Sequence, residues 1–82
     1  MTELVLYSGV GCHLCTEAEA VLRPLVDARQ WTLRTIDINS DPTLRTLYGV
    51  KIPVVVLPNG VEKAWPFTRA QIDRLLPRSA TL

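Results

Sequence analysis

Leu4-Val5-Leu6-Tyr7-Ser8-Gly9-Val10-Gly11-Cys12-His13-Leu14-Cys15 passes from an apolar run, through a glycine-punctuated turn, into the chain's only two cysteines. Residues 3–8 read as a buried strand, because the run is short, apolar and bounded by Ser8-Gly9. Residues 12–28 read as a helix, with Leu14, Ala18, Val21, Leu22 and Leu25 at helical spacing. Pro24 removes one helix hydrogen bond, so the reading is a bent helix. A C-x-x-C placed where a strand hands over to a helix reads as a dithiol redox site. Residues three apart share a helix face, close enough to bond without rearranging the chain. The helix N-terminus, with unpaired N–H groups and a partial positive charge, favours thiolate at the first cysteine. Thiolate is the form that attacks disulfides.

The remaining elements extend this start. Residues 32–38 alternate around Leu33, Ile36 and Ile38 and suggest a partly exposed, irregular strand. Ser40-Asp41-Pro42 is a helix-start signal, and a short helix over 42–48 is expected to end with Gly49 at its C′ position. Val54 to Leu57 is the most strand-like run. Pro58-Asn59-Gly60 makes a turn, and residues 61–64 are expected to return antiparallel. Thr68 and Gln71 match a capping box ahead of a last helix with Ile72, Leu75 and Leu76 on its apolar face. Pro77 stops that helix, and 78–82 read as a flexible tail. The order is β-α-β-α-β-β-α, an α/β pattern whose first half implies parallel strands and a right-handed crossover.

Composition limits the function classes. The chain has 82 residues, 48% of them hydrophobic and 21% charged, with nine basic against eight acidic residues and a net charge of +1. Residues 1–77 therefore read as one small domain. No basic stripe suggests nucleic acid or an anionic membrane as a partner. The start of the chain lacks a basic segment and a long apolar run, and no stretch approaches the ~20 apolar residues of a membrane span. Two cysteines do not make a secreted disulfide scaffold, which points to a reducing cytoplasm and a chemical use of the pair. A zinc site would need about four ligands, and the chain offers two cysteines and His13. An intersubunit zinc or iron–sulfur site sharing cysteines across a dimer is a further alternative.

The chain resembles a small glutaredoxin-like protein of the thioredoxin superfamily. The resemblance rests on the first strand, on Cys12-His13-Leu14-Cys15 opening a helix, on Ile52-Pro53 before a valine-rich strand, and on a hairpin with a closing helix. It implies a thioredoxin-like fold with a four-stranded mixed sheet of order 2-1-3-4 and helices on both faces. It also implies a cis Pro53 facing the dithiol, and no bound cofactor. Three positions depart from the glutaredoxin pattern. Val10 stands where the family has a lysine, Leu14 replaces an aromatic ring, and Phe67-Thr68-Arg69 replaces the segment that holds a glutathione carboxylate. Glutathione is therefore only weakly supported as reductant.

These readings assign Cys12 as nucleophile, Cys15 as resolving thiol and His13 as a modulator of Cys12 acidity. Ile52 and Pro53 are assigned to substrate binding through a free backbone edge, a short form of strand addition. Trp65 and Phe67, flanking Pro66, would either pack against the closing helix or form an apolar wall beside the dithiol, and Thr68 would offer a helix end for a carboxylate. The expected function is a thiol–disulfide oxidoreductase acting on protein or small-molecule disulfides. It would act as a monomer, with electrons from glutathione or a thioredoxin-reductase-type flavoenzyme. The alternative is a non-catalytic binding module or redox sensor that uses the Ile52-Pro53 edge.

Overall fold

Four strands and three helices are present in the computed structural model, which describes residues 2–76. The expected stop at Pro77 and the tail over 78–82 lie outside the described residues. β1 is Glu3–Ser8, α1 His13–Arg29, β2 Thr32–Asp37, α2 Pro42–Tyr48, β3 Val54–Val56, β4 Glu62–Ala64 and α3 Arg69–Leu75. The sheet order is β2-β1-β3-β4. β1 pairs parallel to β2 from Glu3 opposite Thr32 to Ser8 opposite Asp37. β3 runs antiparallel to β1, with Val55 opposite Leu6, and β4 antiparallel to β3, with Lys63 opposite Val55. This is the mixed 2-1-3-4 sheet that the resemblance implies.

The pleat decides which residues meet. Leu4 and Leu6 of β1 and Val55 of β3 point to one face. There they pack with Ala18, Leu22, Leu25 and Val26 of α1, with Ile72 of α3, and with Phe67 and Leu76. Tyr7, one residue on from Leu6, points to the other face, where its ring stacks on Tyr48 of α2 at 4.4 Å. Helices thus lie on both faces, unequally: α2 contributes no buried residue.

Several local readings shift. α1 begins at His13, with Cys12 as its N-cap, and continues through Pro24 without interruption to Arg29. Leu14 was expected on the apolar stripe and is instead exposed. The buried stripe is Cys15, Ala18, Leu22, Leu25 and Val26, so Cys15 takes the inward place in the first turn. Leu75 is likewise exposed, and Leu76 takes the buried position. Ile38 leaves β2 and opens a single 3₁₀ turn, Ile38–Ser40. Gly49 does not use a left-handed conformation: its φ is −54°, and glycine is needed because a Cβ there would stand 2.5 Å from the Arg45 carbonyl oxygen.

Candidate functional site

The turn between β1 and α1 presents the cysteines. Gly11 has φ +74°, a conformation that glycine adopts without a Cβ penalty. The Cys12 N–H donates to the Gly9 carbonyl at 3.2 Å, closing the turn. Cys12 then caps α1: its backbone is extended, and its Sγ accepts the Cys15 N–H at 3.1 Å. A sulfur therefore fills the role that serine or aspartate plays at most helix starts.

Cys12 and Cys15 are joined as a disulfide with Cα atoms 5.2 Å apart. Their surroundings differ. Cys12 is partly exposed, whereas Cys15 is 4% exposed. The fold thus offers one sulfur to an incoming partner and holds the other beneath it. Beside the pair lies an open cleft of about 330 Å³, bounded by Ser8, Gly9 and the first two turns of α1 as far as Glu19. His13 projects from the helix start, largely exposed, and meets Glu17 on the next turn at 3.2 Å.

The remaining predicted site residues fall in two groups. Ile52 and Pro53 lie close to the cysteine turn. The Ile52 Cδ1 is 2.8 Å from where a Cβ on Gly9 would sit, so the absence of a side chain at Gly9 admits Ile52. The Ile52–Pro53 peptide bond is cis, and Pro53 is buried. One expectation changes: the Ile52 N–H is not free but donates to the Tyr48 carbonyl at 3.1 Å. The short α2 and the bend after it bring that carbonyl within reach.

Trp65 and Thr68 belong to the hairpin side. The Trp65 N–H donates to the Pro53 carbonyl at 2.9 Å, which ties β4 to the proline. The Trp65 ring is only half-buried, packs on the core and meets Phe67 edge-on at 5.0 Å. Phe67 itself is core, at 3% exposure. The Trp65–Pro66 bond is also cis, a feature the sequence reading did not single out. Thr68 caps α3 through a complete capping box. Its hydroxyl accepts the Gln71 N–H at 3.2 Å, and its own N–H donates to the Gln71 side chain at 3.0 Å. Those two N–H groups are already taken, which leaves fewer for a ligand carboxylate.

No group of three or more histidine, cysteine, aspartate or glutamate side chains is placed to hold a metal ion among the described residues. No helix among them is long and apolar enough to cross a membrane.

Comparison with known proteins agrees with this geometry. The chain is similar to protein XcR50 from X. campestris, at 36% identity over 87% of this chain and 96% of that one, with a TM-score of 0.71 for its X-ray structure. It is also similar to protein Ne2328 from Nitrosomonas europaea, at 31% identity over 93% of this chain and 92% of that one, with a TM-score of 0.76. No curated protein matches the chain. Residues 3–77 match the family described as a glutaredoxin-like domain. With a mixed 2-1-3-4 sheet and a cysteine pair at the start of its first helix, the chain belongs to that family.

Proposed function

We propose that this protein is a dithiol oxidoreductase that reduces disulfides through Cys12 and Cys15. The observation that carries the reading is the asymmetry of the pair: a partly exposed Cys12 sulfur that accepts a helix N–H, over a buried Cys15. That N–H and the helix end stabilise a Cys12 thiolate and make it ionise more readily than a free thiol. The thiolate attacks a substrate sulfur, a mixed disulfide forms and the first substrate thiol leaves. Cys15 then attacks the Cys12 sulfur. The second substrate thiol is released, and the protein is left as the Cys12–Cys15 disulfide. His13, beside Cys12 and paired with Glu17, adds a modest favourable charge when protonated.

Ile52 and Trp65 form the edge a substrate chain lies against, and Pro53, fully buried, supports that edge from beneath rather than touching the substrate. Because the Ile52 N–H is engaged, that edge offers the Ile52 carbonyl, and strand addition is limited to one direction of hydrogen bonding. No bound cofactor is needed. Electrons come from a reductase rather than mainly from glutathione. Val10 and Leu14 are exposed where the family has a lysine and a ring, and the Thr68 capping box uses two N–H groups of the helix end. We place the protein as a monomer in a reducing, cytoplasmic compartment.

The deciding experiment is turnover of a protein or small-molecule disulfide, coupled in turn to glutathione with its reductase and to a thioredoxin-reductase-type flavoenzyme. The expected result is turnover with the flavoenzyme and feeble turnover with glutathione. Strong glutathione-dependent turnover overturns the choice of electron donor. Inert thiols in both assays would leave a binding module in place of an enzyme.

A further inference from the structure

We infer that the cleft beside the dithiol selects small disulfides that carry a primary ammonium group, and disfavours those that carry carboxylates. This rests on the dithiol reading above and names the substrate class of the same site.

The cleft is of ligand size, about 330 Å³. Ser8 and Thr16 bring hydroxyls to it, and Cys12 and Cys15 bring the reacting sulfurs. Among the described residues its one carboxylate is Glu19, no lysine or arginine lines it, and His13 is the only lining side chain that can become cationic. Glu19 follows Cys15 by four residues and Cys12 by seven, so all three share a face of α1. The rise per residue puts Glu19 roughly 10 Å along the axis from Cys12. Helical side chains lean toward the N-terminus, the direction of the cysteines, and Glu19 lines the cleft together with both of them. A disulfide whose sulfur meets Cys12 carries its ammonium two carbons away, along this face toward Glu19.

The cation that currently meets Glu19 is Arg23, at 2.9 Å, from outside the cleft. Both side chains of this pair are close to half exposed. An ion pair of that kind is worth little, so a substrate ammonium can replace Arg23 at small net cost. The other acid nearby, Glu17, is engaged with His13. A carboxylate entering the cleft would meet Glu19, and the one wall side chain able to carry positive charge, His13, is already held by Glu17.

The reaction balances within the protein. Starting from chemically reduced protein, the Cys12 thiolate takes one sulfur of the disulfide and the other leaves as thiol. Cys15 then displaces the second thiol, so two electrons pass from the protein dithiol to give two substrate thiols. A single turnover needs no other reductant.

The test follows single-turnover oxidation of the reduced protein by three disulfides of similar length: cystamine, bis(2-hydroxyethyl) disulfide and 3,3′-dithiodipropionate. Each rate is divided by that of dithiothreitol with the same disulfide, which removes differences in intrinsic reactivity. The expected order is cystamine, then the hydroxyl compound, then the dicarboxylate, with steps of about two- to five-fold at low salt that shrink as salt is added. In Glu19→Gln the ratio of cystamine to hydroxyl compound falls toward one, and in Arg23→Gln it rises. A flat order with all three disulfides reacting, or an order that survives Glu19→Gln, overturns this inference and leaves the dithiol reading standing. Failure of the neutral disulfide to react at all overturns the dithiol reading itself.

Discussion

At the scale of single residues, the two cysteines carry roles that chemistry can separate. Cys12 should alkylate faster than Cys15 in the reduced protein, since its sulfur is the more exposed and faces the helix N–H. Cys12→Ser should abolish disulfide reduction, and Cys15→Ser should accumulate a mixed disulfide visible by mass. Faster alkylation of Cys15 would reverse the assignment. A second residue gives a pH signature away from the dithiol. Burial, and then the Glu62 carboxylate that accepts its hydroxyl proton at 3.1 Å, raise the Tyr48 phenol above its ordinary value of 10.0. The folded state thus holds that proton longer than the unfolded chain does. Its contribution to stability is full below the ordinary phenol value and is lost as pH rises through the folded value. Phenolate absorbance in a Tyr7→Phe background should show this late ionisation. Glu62→Gln should lower it only in part, because burial remains. The cysteine pair was legible from spacing and position alone. Leu14 was not, because helical spacing defines a face without saying which edge of it the sheet covers. The lost Ile52 N–H was not legible either, since its partner at Tyr48 depends on how α2 ends.

At the scale of elements, the order, type and approximate bounds of every strand and helix could be read from periodicity and turn residues. The deviations sit where tertiary contacts choose among local options. Ile38 follows the strand pattern but is drawn into a 3₁₀ turn in which the Asp37 side chain accepts the Asn39 N–H at 2.9 Å. Gly49 follows the pattern of a helix end, yet it serves a close approach to Arg45 rather than a left-handed bend. The capping box of α3 was legible from Thr68 and Gln71 and is fully formed. Thr68→Ala should therefore lower stability by about 1 kcal/mol, seen as a lower denaturant midpoint at unchanged slope. Thr68→Asn should restore most of that loss. Gly9 ties two elements together, since it admits Ile52 against the turn before α1. Gly9→Ala should be destabilising by about 1–3 kcal/mol through crowding, because an added Cβ would overlap the Ile52 Cδ1. Ile52→Val deletes that atom. A double-mutant cycle should then show the two changes partly cancelling. Simple additivity of the two losses would mean that the contact does not govern the turn.

At the scale of the whole molecule, the two faces of the sheet carry unequal shares of the stability. One face is covered by α1 and α3 over a continuous core in which Leu4, Leu22 and Ile72 are fully buried. The two helices are also joined at the surface, where Arg29 of α1 pairs with Asp73 of α3 and lies over the Trp31 ring at 5.6 Å. Among the described residues the opposite face has one α-helix, α2, which buries no residue and leaves Leu47 54% exposed. A domain of this size has a stability of roughly 4–12 kcal/mol, from ~0.05–0.15 kcal/mol per residue. Truncating a fully buried leucine loses ~2–5 kcal/mol of transfer and cavity energy. Leu22→Ala should therefore remove a large share of the stability, about 2–5 kcal/mol, whereas Leu47→Ala should stay within about 0.5 kcal/mol of the parent. The same imbalance should appear without mutation. Amide hydrogen exchange in α2 should proceed by local opening, well ahead of exchange in the middle of α1, which should approach the global unfolding limit. Because the Tyr48 carbonyl at the end of α2 holds the Ile52 N–H, each opening of α2 also frees the edge beside the dithiol. Addition of a bound peptide disulfide, trapped on Cys15→Ser, should then change exchange at Ile52 and α2 more than in the α1–α3 layer. Equal protection of α2 and α1 in the free protein would show that the Tyr7–Tyr48 stack anchors α2 as firmly as the core anchors α1.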